Sequence, residues 1–214
     1  MRVVAGIAGG IPLHTPKTDL RPTMDVVKGA IFSSLGEYVV DARLLDLFAG
    51  AGGLGIEALS RGARHVVMVE SDRVAVASIR KNLEKTRLTG GVQEMDVFSY
   101  LDRLAAPGSF EIIIADPPYA KKPGDRDFTN ELLASDSLRA ALAPDGIFVL
   151  EHRPGAKLPL KDRWVLIRQK RYGATEVAML RASEPGDVAV DGGTSASGKS
   201  DASDGTPDSA GSEG

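Results

Sequence analysis

Residues Leu44-Leu45-Asp46-Leu47-Phe48-Ala49-Gly50-Ala51-Gly52-Gly53-Leu54-Gly55 constrain this chain more than any others. An apolar run that meets glycines at positions 50, 52 and 55 fits a buried strand turning abruptly into a helix, with the G-x-G-x-x-G spacing of a nucleotide-binding turn. Glycine is required because the turn is tight and a ligand must approach the backbone closely. Glu70 closes the next apolar run, twenty residues after Gly50, where a carboxylate can accept hydrogen bonds from both ribose hydroxyls. An adenosine-containing ligand is expected here, with Phe48, Gly50, Gly52, Gly55 and Glu70 around it.

Asp46 bears on which ligand. Dinucleotide enzymes seat a pyrophosphate on the helix N-terminus, and an extra carboxylate four residues before Gly50 would repel it. That carboxylate suits a ligand with an ammonium or sulfonium charge, such as S-adenosylmethionine. Asp96, in Met95-Asp96-Val97-Phe98, ends a third strand. It can hydrogen-bond an adenine amino group or cap the following helix, and both readings stay open.

A second motif lies where the apolar strand Phe110–Ala115 runs into Asp116-Pro117-Pro118-Tyr119. In an open α/β sheet the crevice lies at the carboxyl ends of the strands, so this tetrapeptide is expected to face the glycine turn. Its parts suit methylation of an exocyclic amino group, a poor nucleophile because its lone pair is delocalised into the base. The Asp116 carboxylate and the Pro117 carbonyl can hold the two N–H groups. Two prolines stiffen the backbone that carries those acceptors, and the Tyr119 ring offers a surface on which an extruded base can stack.

The rest of the body alternates strand and helix patterns. Leu44–Phe48, Val66–Glu70, Phe110–Asp116 and Ile147–Glu151 look like buried parallel strands, with Gly91–Met95 weaker. Helical patterns cover Gly53–Arg61, Asp72–Thr86 and Asp127–Leu142, the last expected to stop at the turn Pro144-Asp145-Gly146. The pattern implies a parallel sheet with helices on both faces. Trp164–Lys170 and Thr175–Leu180 read as an antiparallel hairpin closing one edge, with Trp164 in the core. At the front, Val3–Leu13 reads as an extended segment or hairpin, followed by Arg21-Pro22-Thr23 and a helix with Val27, Ile31 and Leu35 on one face.

The 214-residue chain contains no cysteine and three scattered histidines, so thiolate chemistry is excluded and no metal site is expected. No apolar run approaches the roughly 18 residues of a spanning helix, and no signal-peptide pattern opens the chain, so a cytoplasmic protein is expected. The net charge of −3 is unevenly spread. From Ala182 onward seven acids meet one base, so the tail carries −6 and residues 1–181 carry +3. The tail lacks aromatic residues and periodicity, and the expectation is a disordered acidic Gly/Ser segment over 183–214.

These residues resemble the class I S-adenosylmethionine-dependent methyltransferases, and more closely the bacterial 16S rRNA guanine-N2 methyltransferases of the RsmD type. The resemblance is carried by Arg2-Val3-Val4-Ala5-Gly6, Arg21-Pro22-Thr23, the block Leu45–Ala63 and Asp116–Tyr119, and covers about residues 1–182. It implies a Rossmann-like α/β domain over 21–182 with a seven-stranded, mostly parallel sheet, and a small hairpin extension over 1–20. It also implies S-adenosylmethionine as donor and a guanine of 16S rRNA, within an assembled 30S subunit, as acceptor; a monomer suits so bulky a substrate. Asp116, Pro117, Pro118 and Tyr119 would then form the reactive site. Asp46, Phe48, Gly50, Gly52, Gly55, Glu70 and Asp96 would hold the donor. Arg2, Arg21, Lys28, Lys121 and Lys122 are the foremost candidate phosphate contacts, with Lys17, Arg126, Arg168, Lys170 and Arg171 behind them. An adenine-N6 methyltransferase shares every chemical motif, and a nicotinamide oxidoreductase shares the glycine turn.

Overall fold

The computed structural model describes residues 1–15, 24–120, 122 and 124–184. Lys17, Arg21, Lys121 and the tail beyond Glu184 lie outside them. Seven strands form one sheet in the order β3-β2-β1-β4-β5-β7-β6. The parallel part comprises β1 (Arg43–Leu47), β2 (His65–Glu70), β3 (Gly91–Glu94), β4 (Phe110–Ala115) and β5 (Leu142–His152). β6 (Trp164–Tyr172) and β7 (Thr175–Ala182) form the expected antiparallel hairpin, with β7 paired to β5 and β6 at the edge.

Continuous apolar strands are explained by burial on both faces. In the two central strands, Leu44, Ile112 and Ile114 face one core layer, while Leu45, Leu47, Ile113 and Ala115 face the other. The first layer is covered by α1 (Met24–Leu35), α2 (Gly53–Ser60) and α3 (Arg73–Thr86), which contribute Ile31, Ile56 and Ile79. The second is covered by α4 (Val97–Arg103), α5 (Phe128–Ala134) and α6 (Asp136–Ala141), through Leu101, Leu132 and Leu138. Each such side chain stabilises the fold by about 1.5–3 kcal/mol. Trp164 is buried as expected, and its indole N–H donates to the Leu133 carbonyl at 2.8 Å.

Two expected elements differ. The helix expected over Asp127–Leu142 is two helices, because Ser135 turns to extended geometry (φ −72°, ψ 120°) and its hydroxyl accepts from the Leu138 N–H to cap α6. Pro144-Asp145-Gly146 does not separate helix from strand. It forms an irregularity inside β5, where the pairing with β4 jumps from Phe110↔Leu142 to Ile112↔Ile147 and Asp145 adopts φ 60°.

The front segment is held by one isolated bridge, Arg2↔Pro12, and is docked on α2. Glu57, fully buried, accepts from the N–H groups of Val4 (2.7 Å) and Ala5 (3.0 Å). The Ser60 hydroxyl accepts from the Ala8 N–H, and the Ser60 carbonyl accepts from the Ile7 N–H. Gly6 sits at φ +83° so close to Ser60 that a Cβ would lie 1.8 Å from its carbonyl oxygen. Among the described residues, no helix is long and apolar enough to cross a membrane.

Candidate active site

The chain leaves β1 toward β2 on one side, and leaves β4 toward β5 on the other. This reversal opens a crevice at the carboxyl ends of β1 and β4, the ligand position of doubly wound sheets. A cavity of about 380 Å³ occupies it. Phe48, Gly50, Glu70 and Asp96 line it, together with Asp116, Pro117 and Pro118. The two motifs, separated by some sixty residues of chain, therefore share one space.

The turn after β1 is strained where it meets the cavity. Phe48 adopts φ 58°, a left-handed conformation that costs of order 1–3 kcal/mol in a non-glycine residue. Its ring meets Phe128 edge-on at 5.2 Å, and Phe128 stacks near Phe98 at 6.3 Å. Gly50 follows at φ +53°, and a Cβ there would meet nothing within 4 Å. A ligand can come up to that stretch of main chain. Glu70 buttresses the turn, accepting from the Gly50 N–H at 2.9 Å through Oε2 and from the N–H groups of Ser71 and Asp72, both at 2.8 Å, through Oε1. A carboxylate has about four acceptor sites, so capacity for a ribose hydroxyl is left. Asp96 caps α4, its Oδ1 accepting from the Ser99 N–H at 2.9 Å, and also lines the cavity. The two readings of this residue are compatible.

Gly53 also lines the cavity, whereas Gly52, Gly55 and Asp46 do not. Gly52, the N-cap of α2, takes φ +81°. Gly55 lets the helix close on β2, since a Cβ would lie 2.6 Å from Met68 Cγ. Asp46 is 0% exposed beneath the turn, with Oδ2 accepting from the Gly55 N–H at 2.8 Å and Oδ1 without a hydrogen-bond partner among the described residues. Burial pushes its carboxyl up to about 7, against the lowering effect of the Gly55 N–H and aided by the charge of Glu70. Where a direct charge contact to a ligand is expected, the Asp46 carboxylate lies beneath the turn and holds it from behind.

Tyr119 is not among the cavity-lining residues; its hydroxyl is bonded to Thr175 Oγ1 at 2.6 Å, and Thr175 does line the cavity. Lys28 is only 3% exposed, its ammonium donating to the Arg2 carbonyl and lying 3.5 Å from both Asp25 and Glu57. Its charge is paired inside the protein, and the residue lines the cavity beside Val27 instead of projecting outward toward phosphate. Arg126 is paired with Glu131 at 2.7 Å, and its guanidinium lies 4.8 Å from the Phe98 ring centroid and 4.7 Å from that of Phe128. Arg2 and Lys122 are exposed. Among the described residues, no group of three or more acids or histidines could hold a metal.

Glu151 and Phe128 also line the cavity and were missed. Glu151 could have been found, because it ends an apolar strand as Glu70 does. Nothing in the pattern around Phe128 marks it, since its place depends on how α5 packs. Met1, Met24, Val27 and Lys28 line the cavity on the α1 side.

Comparison with known proteins accords with this geometry. The model of the family described as "Conserved hypothetical protein 95" matches residues 1–181. The YlbH protein of Bacillus subtilis is 38% identical over 85% of this chain and 98% of its own. The ribosomal RNA small subunit methyltransferase D of Escherichia coli is 31% identical over 89% and 94%. Among solved structures, the Escherichia coli methyltransferase yhhF superposes with a TM-score of 0.73 at 28% identity, covering 86% of this chain and 98% of that one. The Thermus thermophilus 16S rRNA N2 G1207 methyltransferase RsmC, in complex with AdoMet and guanosine, gives 0.65 at 27% identity, over 78% of this chain and 44% of that one. With a fold of the class I methyltransferases and a family match that spans residues 1–181, the chain belongs to the conserved hypothetical protein 95 family, the RsmD family of rRNA methyltransferases.

Proposed function

We propose that this protein methylates the exocyclic N2 of a guanine in 16S rRNA, using S-adenosylmethionine, within the assembled 30S subunit. The observation that carries the reading is the single cavity that joins Gly50, Glu70 and Asp96 to Asp116, Pro117 and Pro118. Family membership and the likeness to RsmD and RsmC support it.

Glu70 accepts from ribose hydroxyls, Asp96 takes the adenine amino group, and the open main chain at Gly50 admits the donor. Phe48 adds an aromatic edge. Asp46 acts indirectly, by fixing Gly55 and hence the turn. The bound donor supplies a methyl group on a sulfonium, electrophilic at carbon. The Asp116 carboxylate and Pro117 carbonyl hold the amine's two N–H groups, which orients the nitrogen for in-line attack. Positioning provides most of the acceleration, because the attacking amine is neutral and its surplus proton leaves after the bond has formed. Tyr119, its hydroxyl anchored on Thr175, holds its ring in place for the extruded base. Arg2, Arg21, Lys121 and Lys122 contact backbone phosphates, and the enzyme works as a cytoplasmic monomer.

The test is transfer of labelled methyl groups to unmodified small subunits, with naked 16S rRNA and DNA in parallel, followed by nucleoside analysis. N2-methylguanosine from subunits is expected. Label in N6-methyladenosine would keep the chemistry and replace the substrate. Displacement of S-adenosylhomocysteine by NAD would point to hydride transfer instead.

A further inference from the structure

We propose that Glu151 selects guanine: its carboxylate accepts the N1–H of the same base whose N2 amine is held by Asp116 and Pro117. This rests on the guanine-N2 reading above and deepens it.

The placement follows from strand register. The parallel pairing of β4 and β5 runs through Ile114↔Val149 to Ala115↔Leu150. Asp116 and Glu151 are therefore the next residues of neighbouring strands, whose backbones lie about 4.8 Å apart. Side chains alternate between sheet faces. Val149 and its β7 neighbour Val177 belong to the core layer beneath α1, whereas Leu150 and Ala178 belong to the opposite layer. Glu151, paired with Val177, falls on the α1 side. There it lines the cavity together with Asp116, Pro117 and Thr175.

Two acceptor-bearing residues side by side suit one kind of base edge. Guanine carries adjacent donors, N1–H and the N2 amine. Adenine carries a lone pair at N1, which would meet a carboxylate oxygen across the same space. An ionised carboxylate is acceptor-only and has about four acceptor sites, so an interaction already made by Glu151 leaves capacity for N1–H. A site built to pair with one donor rejects analogues that lack it, because its own polar group is left desolvated and unpaired. Glu151 thus supplies a reason, independent of the shared Asp-Pro-Pro-Tyr motif, for the protein to choose guanine over adenine.

2,6-Diaminopurine probes this contact, since it keeps the N2 amine and replaces N1–H by a lone pair; it also replaces O6 by an amine, so the Glu151→Gln arm assigns the effect to N1. Small subunits are assembled from 16S rRNA ligated to carry it in place of the methylated guanine. The wild-type protein is expected to prefer guanine by at least about a hundredfold in kcat/KM. Glu151→Gln, whose amide can donate to the diaminopurine N1, is expected to narrow that ratio by at least about tenfold. A wild-type ratio near one overturns the proposal, and this arm needs no variant. A folded Glu151→Gln that binds S-adenosylhomocysteine normally and keeps the wild-type ratio also overturns it. In both cases methylation of guanine N2 by the wild type leaves the functional reading intact. Wild-type methylation of adenine, or of neither base, overturns the reading and the proposal together.

Discussion

The Asp46 carboxylate accepts a hydrogen bond from the Gly55 main-chain nitrogen at 2.8 Å, tying the middle of β1 to the first turn of α2. The bond spans the glycine turn from behind and sets its curvature toward the cavity.

Titration of Asp46 should therefore be visible in stability. Its carboxyl titrates near 7 in the folded protein, chiefly through burial, against about 3.9 when unfolded. The folded state holds the proton over that window, so stability should fall as pH rises from about 4 to about 7 and then level off. Asp46→Asn removes the titration and can keep the bond to Gly55. Its stability relative to wild type should rise by roughly 4 kcal/mol between pH 4 and pH 8, read as urea midpoints across pH. Parallel profiles for the two proteins would refute it.

Two glycines of the same turn should respond differently. Gly55→Ala puts a Cβ 2.6 Å from Met68 Cγ and 2.8 Å from its sulfur, and should lose about 1–3 kcal/mol through overpacking. Met68→Val should relieve part of that loss. Gly50→Ala meets no atom and should lose only the left-handed backbone cost of about 1–2 kcal/mol. Its Cβ should instead lower the affinity for S-adenosylhomocysteine, measured by calorimetry.

Glu57 binds the front segment to the body. It accepts from Val4, Ala5 and Arg61 (2.7 Å from Nε) and faces the buried Lys28 ammonium. Glu57→Ala leaves that ammonium without its buried partner and should destabilise the protein by about 3–5 kcal/mol. Hydrogen exchange at the Val4 and Ala5 amides should accelerate before that of the central strands. Unchanged protection there would show that the segment is held by its apolar contacts alone.

Asp116 is assigned to orient the acceptor amine. Asp116→Ala should remove roughly 3 kcal/mol of transition-state stabilisation, as loss of one preorganised polar contact does, lowering kcat by about a hundredfold. Affinity for S-adenosylhomocysteine should change little, since Gly50, Glu70 and Asp96 are untouched. Unchanged turnover would remove Asp116 from the reactive site.

Local chemistry by itself determined the alternating architecture and both motifs. Strands buried on two faces must be apolar throughout, as Leu44–Leu47 and Ile112–Ala115 are, and a turn such as Gly50–Gly55 needs its glycines wherever it occurs. Placing Glu70, Asp96 and Asp116 at strand ends was likewise legible, because a parallel sheet brings those ends to one side. Which way each side chain turned was not. Asp46 and Lys28 have the sequence context of ligand contacts, yet packing buried both, one under Gly55 and the other against Glu57. Glu151 entered the cavity through the register of β5 against β4, and Phe128 through the break at Ser135 and the packing of α5. Such outcomes depend on contacts between residues far apart in the chain. Burial, and with it the charge state and partner of each polar group, is a property of the assembled layers and not of any local run of residues.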